Sequence, residues 1–183
     1  IPSKKLYVHQ WKWDSATHAM GLIHVDPDRA YDELRSLFAG QWENGMIPHM
    51  IFNPQEKNYF PSAEVWGTGK HANGEIITSG ITQPPLITKS ILYLTEHDPD
   101  SERANAFIDE TYDNLVRDHG YFKTFRHPIH SVLLTIIHPW ETGTDNSPRF
   151  DDTMERIDLA SIPDRVKELS KQRTDIKVGK AAH

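Results

Sequence analysis

One short stretch of this sequence concentrates the groups that acid–base chemistry needs: His138-Pro139-Trp140-Glu141-Thr142-Gly143-Thr144-Asp145-Asn146-Ser147-Pro148-Arg149-Phe150-Asp151. Asp145 falls on a turn just ahead of Ser147-Pro148, a helix start. A carboxylate there is ordinarily a helix cap, contributing about 1 kcal/mol. On spacing alone the cap is the favoured reading of Asp145. Three further segments mix aromatic rings, amides and carboxylates with turn residues: Tyr7 to Ser15, Gly40 to Met50, and Ser79 to Pro85. Such rings, edged by polar groups, suit sugars, whose C–H faces are apolar and whose rims are hydroxyls.

Each candidate also has a plain structural reading. Trp13 and Trp42 can be core residues under a loop, since tryptophan is highly buried on average. Asp14 can cap the first helix. Among eleven histidines, His127, His130 and His138 cluster, but their spacing fits neither a helical i, i+4 pair nor a zinc signature, so no metal site is expected. His138 is expected to orient the loop that carries Asp145, and Arg149 to pair with a nearby carboxylate.

The elements that must position these groups read as helices. Asp26-Pro27-Asp28 caps and starts a helix predicted over 27–39, with Ala30, Leu34, Leu37 and Phe38 at helical spacing. Ala16, Ala19, Met20 and Ile23 predict a preceding helix over about 14–23, which makes a hairpin. A short helix over 86–97 leads into a long one over 101–125, whose apolar stripe is read as Ala104, Phe107, Ile108, Tyr112, Leu115 and Val116. Ser131 to Ile137 has no helical stripe and reads as extended. Further helices start at Ser147-Pro148 and Ile162-Pro163-Asp164, giving six helices in three consecutive hairpins. Residues 40–85 hold most of the glycine, proline and asparagine, yet Trp42, Met46, Ile47, Met50, Ile51, Phe52, Tyr59, Phe60 and Trp66 argue for an ordered loop region. Hairpins joined by long loops fit a helical toroid as well as a bundle.

Composition narrows the function classes. A net charge of -6 over 183 residues argues against nucleic acid as a partner. There is no cysteine, so disulfides and thiolate metal sites are excluded. No run of about 18 apolar residues suggests a membrane span, and Ile1-Pro2-Ser3-Lys4-Lys5 lacks the order of a signal peptide. No membrane contact and a cytoplasmic setting are expected. The tail Lys177 to His183 carries neither a cap nor an apolar face.

In their fixed order, four strings carry a specific likeness: Trp11-Lys12-Trp13-Asp14-Ser15, Gln41-Trp42-Glu43-Asn44-Gly45-Met46-Ile47-Pro48-His49, Ser79-Gly80-Ile81-Thr82-Gln83-Pro84-Pro85, and the His138 to Asp151 segment. Together they resemble glycoside hydrolase family 63, in particular its bacterial mannosylglycerate and glucosylglycerate hydrolase branch, over most of the chain. The resemblance implies an all-α (α/α)6 barrel without a cofactor and inverting hydrolysis of an α-linked glucoside or mannoside. It implies Asp145 as the general acid and Tyr7, Trp11, Trp13, Asp14, His49 and Gln83 as the sugar-binding set. Such roles make physical sense, because Asp14 and Gln83 can exchange hydrogen bonds with hydroxyls while the Trp rings stack on a pyranose face. It also places the general base downstream, in the second half of the barrel. Twelve helices of about eleven or twelve residues need about 140 positions before loops, and six are read here. Residues 1–183 are therefore expected to be one partial catalytic domain with an incomplete barrel. Its partners would be a small carbohydrate and the remaining half of the barrel, and alone it would lack an efficient base. A non-catalytic carbohydrate-binding helical domain is the alternative, and a plain helical interaction domain a third.

Overall fold

In the computed structural model, residues 7–57, 59–69, 75–129 and 131–170 are described. Two helical hairpins carry the framework. Helices α1 (Lys12–Leu22) and α2 (Pro27–Ala39) form the first, and α4 (Ile87–His97) and α5 (Ser101–Phe125) the second. The short α3 (Ala63–Trp66) lies between them in the chain.

The capping chemistry of α2 works locally as read, and α5 takes a cap, Asp100, one residue ahead of the predicted start. The Asp26 carboxylate accepts from the Arg29 backbone N–H, with Pro27 at the first helical position, and Asp100 accepts from the N–H groups of Glu102 and Arg103 to start α5. Ala16 and Ala19 of α1 let α2 and α4 approach closely. Their apolar faces meet in one core of Tyr31, Leu34 and Leu37 from α2, Ile87, Ile91 and Leu94 from α4, and Phe107 from α5. Full burial of each such aliphatic side chain contributes about 1.5–3 kcal/mol.

Along α5 the buried line runs Ala104, Phe107, Thr111, Asp118 and Tyr121, not through Tyr112 and Val116, which are exposed. Of the expected stripe, Ala104 is buried and Phe107, Ile108 and Leu115 do pack on the core, while Tyr112 and Val116 lie on the far edge of the 3.6-residue repeat and turn outwards. The buried line instead takes in polar residues that periodicity alone does not select.

The described residues of the loop region 40–85 are held by long-range pairing. Strands β1 (Gln10–Trp11) and β2 (Met50–Ile51) pair antiparallel with Gln10 opposite Ile51 and Trp11 opposite Met50, and Ile51 bridges Thr78. Ile47 and Met50 are fully buried. Gln41 locks the segment to α5, its Nε2 donating to the carbonyls of Gly45 and Asn114 while Asn114 Nδ2 donates back to its Oε1 at 2.7 Å.

The third hairpin is less than expected. Pro148–Phe150 is a single 3-10 turn leading into the five-residue α6 (Asp151–Glu155), and α7 (Asp164–Ser170) follows after another short turn. Residues 131–137 pair with no strand among the described residues. Their apolar side chains face outwards: Val132 is 95% exposed and Leu133 72%. His130 and the tail 177–183 lie outside the described residues.

Candidate active site

Three parts of the chain converge on one cavity of about 330 Å³. The N-terminal segment contributes Tyr7, Trp11, Trp13 and Asp14, while the loop region contributes His49, Tyr59 and Gln83. The third contribution is Trp140, Gly143 and Asp145 from the loop after α5. All seven residues singled out from the sequence therefore line the same space. Trp42 does not, its indole Nε1 donating to Thr78 Oγ1 at 2.9 Å instead.

The start of α1 orients the first wall. Trp11 is its N-cap in extended conformation with no side-chain cap, and Asp14 lies in the first turn, so Asp14 is not the cap that its position suggested. The orphan N–H of Trp13 donates to Gln83 Oε1 at 3.2 Å. This fixes the Gln83 carboxamide oxygen against the start of α1. Tyr7 stands edge-on to Trp11 at 5.3 Å, and Tyr59 stands edge-on to the same ring at 5.9 Å. The Asp14 carboxylate is half-buried, and burial pushes its titration up against the opposing charge of His18.

His49 forms the floor. Its Nδ1 meets Ser79 Oγ at 2.8 Å, and its ring lies 5.7 Å from Trp140 and 6.0 Å from Trp66. Burial pushes its pKa down to about 3, with His138 adding to the shift. Burial therefore favours the neutral imidazole of His49.

The second wall is the Asp145 loop. His138 caps the 3-10 turn Pro139–Thr142 by accepting from the Trp140 N–H at 3.1 Å, so it does orient this loop. Gly143 has φ of 70°, and a Cβ there would stand 2.8 Å from the Trp13 ring, so the loop backbone packs directly on that indole. Asp145 is exposed on the turn beyond it. The following 3-10 turn takes Ser147 as its N-cap, so Asp145 does not cap it. Arg149 donates to Thr144 Oγ1 at 2.6 Å and stacks on Phe150, where a carboxylate partner was expected.

Tyr59, Trp140 and Gly143 join the pocket without having been singled out as ligand-binding. Tyr59 sits in the irregular stretch, where nothing local distinguishes a pocket aromatic from a core one. Gly143 beside Thr144-Asp145 is the better signal, since a glycine before a candidate acid implies close backbone approach. Among the described residues, no group of three or more His, Cys, Asp or Glu could hold a metal ion.

Comparison with known proteins adds a second line of observation. Over residues 7–182 the chain matches the family described as the mannosylglycerate hydrolase MGH1-like glycoside hydrolase domain. The mannosylglycerate hydrolase of Thermus thermophilus is 42% identical over 164 residues, which cover 89% of this chain and 39% of that protein. The glucosylglycerate hydrolase of Mycolicibacterium hassiacum is 36% identical over 87% of this chain and 37% of its own length. The crystal structure of a glycoside hydrolase family 63 mannosylglycerate hydrolase from Thermus thermophilus, in complex with Tris and D-glycerate, superposes with a TM-score of 0.81 at 41% identity, over 89% of this chain and 38% of that one. The chain thus spans less than two fifths of the length of these relatives.

Proposed function

Since this chain belongs to the mannosylglycerate hydrolase MGH1-like glycoside hydrolase family, we propose that its pocket holds the sugar ring of an α-linked glucoside or mannoside, with Asp145 as the general acid of an inverting hydrolysis. The observation that carries this reading is the convergence of Asp14, Gln83 and Asp145, from three distant segments, on one aromatic-lined cavity. Trp11 and Trp13 offer rings for the pyranose face, while Asp14, His49 and Gln83 offer polar atoms for hydroxyls. The named relatives hydrolyse mannosylglycerate and glucosylglycerate, and these two are the substrates proposed here.

In this mechanism Asp145 gives its proton to the glycosidic oxygen as the bond to the anomeric carbon breaks, and a base-activated water attacks from the opposite face. A general acid must keep its proton near neutral pH, far above the value of about 3.9 for an isolated aspartic acid, which requires burial or a nearby negative charge. A covering wall over the exposed Asp145 loop fits that need. The partner proposed to supply it is the remaining half of an (α/α)6 barrel, in the same or another chain, with residues 1–183 as one part of the catalytic domain and 40–85 as its active-site loops. In the chain that leads into the Asp145 loop, the apolar side chains of Phe125, Ile129, Val132, Leu133 and Ile137 are 58–95% exposed. Such a surface is suited to being covered.

The test is Asp145→Asn in the complete enzyme, assayed on α-glucosides and α-mannosides including those of glycerate. Turnover of an unactivated glycoside should fall by roughly 10²–10⁴-fold, with folding retained and with less loss on a substrate whose leaving group needs no proton. Near-wild-type turnover would overturn the acid assignment. Sugar binding without turnover in the wild-type enzyme would favour a carbohydrate-binding domain instead.

A further inference from the structure

Beside the pocket lies a chain of buried charges bonded to the segments that carry Trp11, His49, Gln83 and Trp140. Lys12 sits between Trp11 and Trp13, Thr82 precedes Gln83, Ile47 lies two residues before His49, and Glu141 follows Trp140 on the Asp145 loop. Lys12 is fully buried, and Asp118, Arg126 and Glu141 are at most 5% exposed. Lys12 Nζ meets Asp118 Oδ1 at 3.1 Å and donates to Thr82 Oγ1 at 3.0 Å. Asp118 Oδ1 also accepts from the Ile47 N–H at 3.4 Å, and Thr82 Oγ1 donates to the Ile47 carbonyl at 2.8 Å.

Glu141 is the joint between this half and the acid loop. Its Oε1 accepts from the Thr82 N–H at 3.2 Å and from Arg126 Nη2 at 2.7 Å. Its Oε2 accepts from the Ile137 N–H at 2.8 Å and from Arg126 Nη1 at 3.0 Å. Arg126 is held in turn by the Tyr121 hydroxyl. Two acids and two bases alternate without surplus charge, and the lowering of the Lys12 pKa by burial is opposed by Asp118 and Glu141.

Apolar packing of equal volume could hold these segments together, often as stably as buried ions do. It would not fix their direction. Of the four directed bonds on this carboxylate, the one from the Thr82 N–H ties the Asp145 loop to the Gln83 segment, while those from Ile137 and Arg126 hold the carboxylate in place, and a proton donor facing a bound sugar requires such fixed placement. We infer that Glu141 is a positioning residue that sets Asp145 and Gln83 in register across the pocket. This rests on the pocket being a glycoside-hydrolysing site.

The test compares Glu141→Gln, and Glu141→Gln combined with Arg126→Met, in the complete enzyme. The double variant leaves no ionised partner unpaired and so protects the fold. The first measurement is hydrogen exchange. Residues 79–85 and 139–146 should exchange faster together, by about 10-fold, while α2 and α5 are unchanged. The second compares turnover of an unactivated α-glycoside with that of the matching α-glycosyl fluoride. The unactivated substrate should lose about 10–100-fold in kcat through misplacement of the acid, and the fluoride less than about 3-fold. A purely structural role would lower both substrates in proportion to the folded fraction. Equal losses on the two substrates, or unchanged exchange in 79–85, would overturn the inference. A wild-type enzyme that hydrolyses neither substrate, or an Asp145→Asn variant of full activity, would defeat the glycosidase reading instead. The exchange measurement would still decide whether Glu141 joins the two segments.

Discussion

The two sides of this molecule are held by different balances of apolar and charged contacts. On the helical side, α1, α2, α4 and α5 bury Leu34, Leu37, Ile87, Leu94 and Phe107 in an apolar core, with the buried Asp98 pairing with Arg103 and accepting from the Tyr31 hydroxyl at its edge. On the loop side, Lys12, Asp118, Arg126 and Glu141 are buried in ion pairs and hydrogen bonds. An apolar core tolerates small shifts at modest cost, whereas a buried charge is stable only while its partner is in place. The difference teaches where exact geometry is demanded. The side with interchangeable contacts is scaffold, and the side with directed contacts carries the pocket.

The sharpest way to break this comparison is to orphan one charge. Lys12→Met leaves Asp118 buried without its cation and should cost about 3–5 kcal/mol in denaturant unfolding. Adding Asp118→Leu should restore most of that stability, and failure of the rescue would mean that the pair is not the organising feature. Next in size is Leu94→Ala on the helical side, expected to cost about 3 kcal/mol. No second substitution of opposite polarity should rescue it, because the loss is a cavity and not a missing partner.

Acid sharpens the contrast. The pKa of His49 is pushed down to about 3 and that of His9 to about 4, both chiefly by burial. An unfolded chain takes up these protons near pH 6.5 while the folded chain does not, so stability is fully present above pH 6.5 and is lost as pH falls towards 3. For His49 alone the loss between pH 6.5 and 5 should be about 1–2 kcal/mol. Thermal unfolding followed from pH 7 to 4.5 would measure it, and His49→Asn should flatten the dependence. The smallest effect should come from the exposed Arg35–Glu110 pair. Arg35→Ala is expected to cost no more than about 1 kcal/mol and to show salt dependence, which unfolding in low and high salt would check.

Local chemistry made much of the helical side readable. Asp26-Pro27 and Asp100-Ser101 encode caps within a few residues of the turn that they satisfy, and the stripe from Ala30 to Phe38 lies within three turns of one helix. Order in the 40–85 stretch was also legible, because that much aromatic surface cannot stay in water. The candidate pocket residues were legible as four strings resembling one family, although nothing in any single string says that Asp14 and Asp145 face the same cavity.

Only the tertiary structure decided the rest. Lys12 lies outside the helix predicted over 14–23 and carries no local sign of burial, yet it is fully buried against Asp118, 106 residues away in sequence. Glu141 reads as one more polar loop residue, yet it is paired with Arg126 and bonded to Thr82, 59 residues earlier. The third hairpin was over-read from two prolines, because a proline at a helix start permits a helix without sustaining one. Helix caps and apolar stripes are short-range, so the sequence carries them whole. The cost of burying an ion depends on which distant residue meets it, and that is set only when the chain has closed on itself.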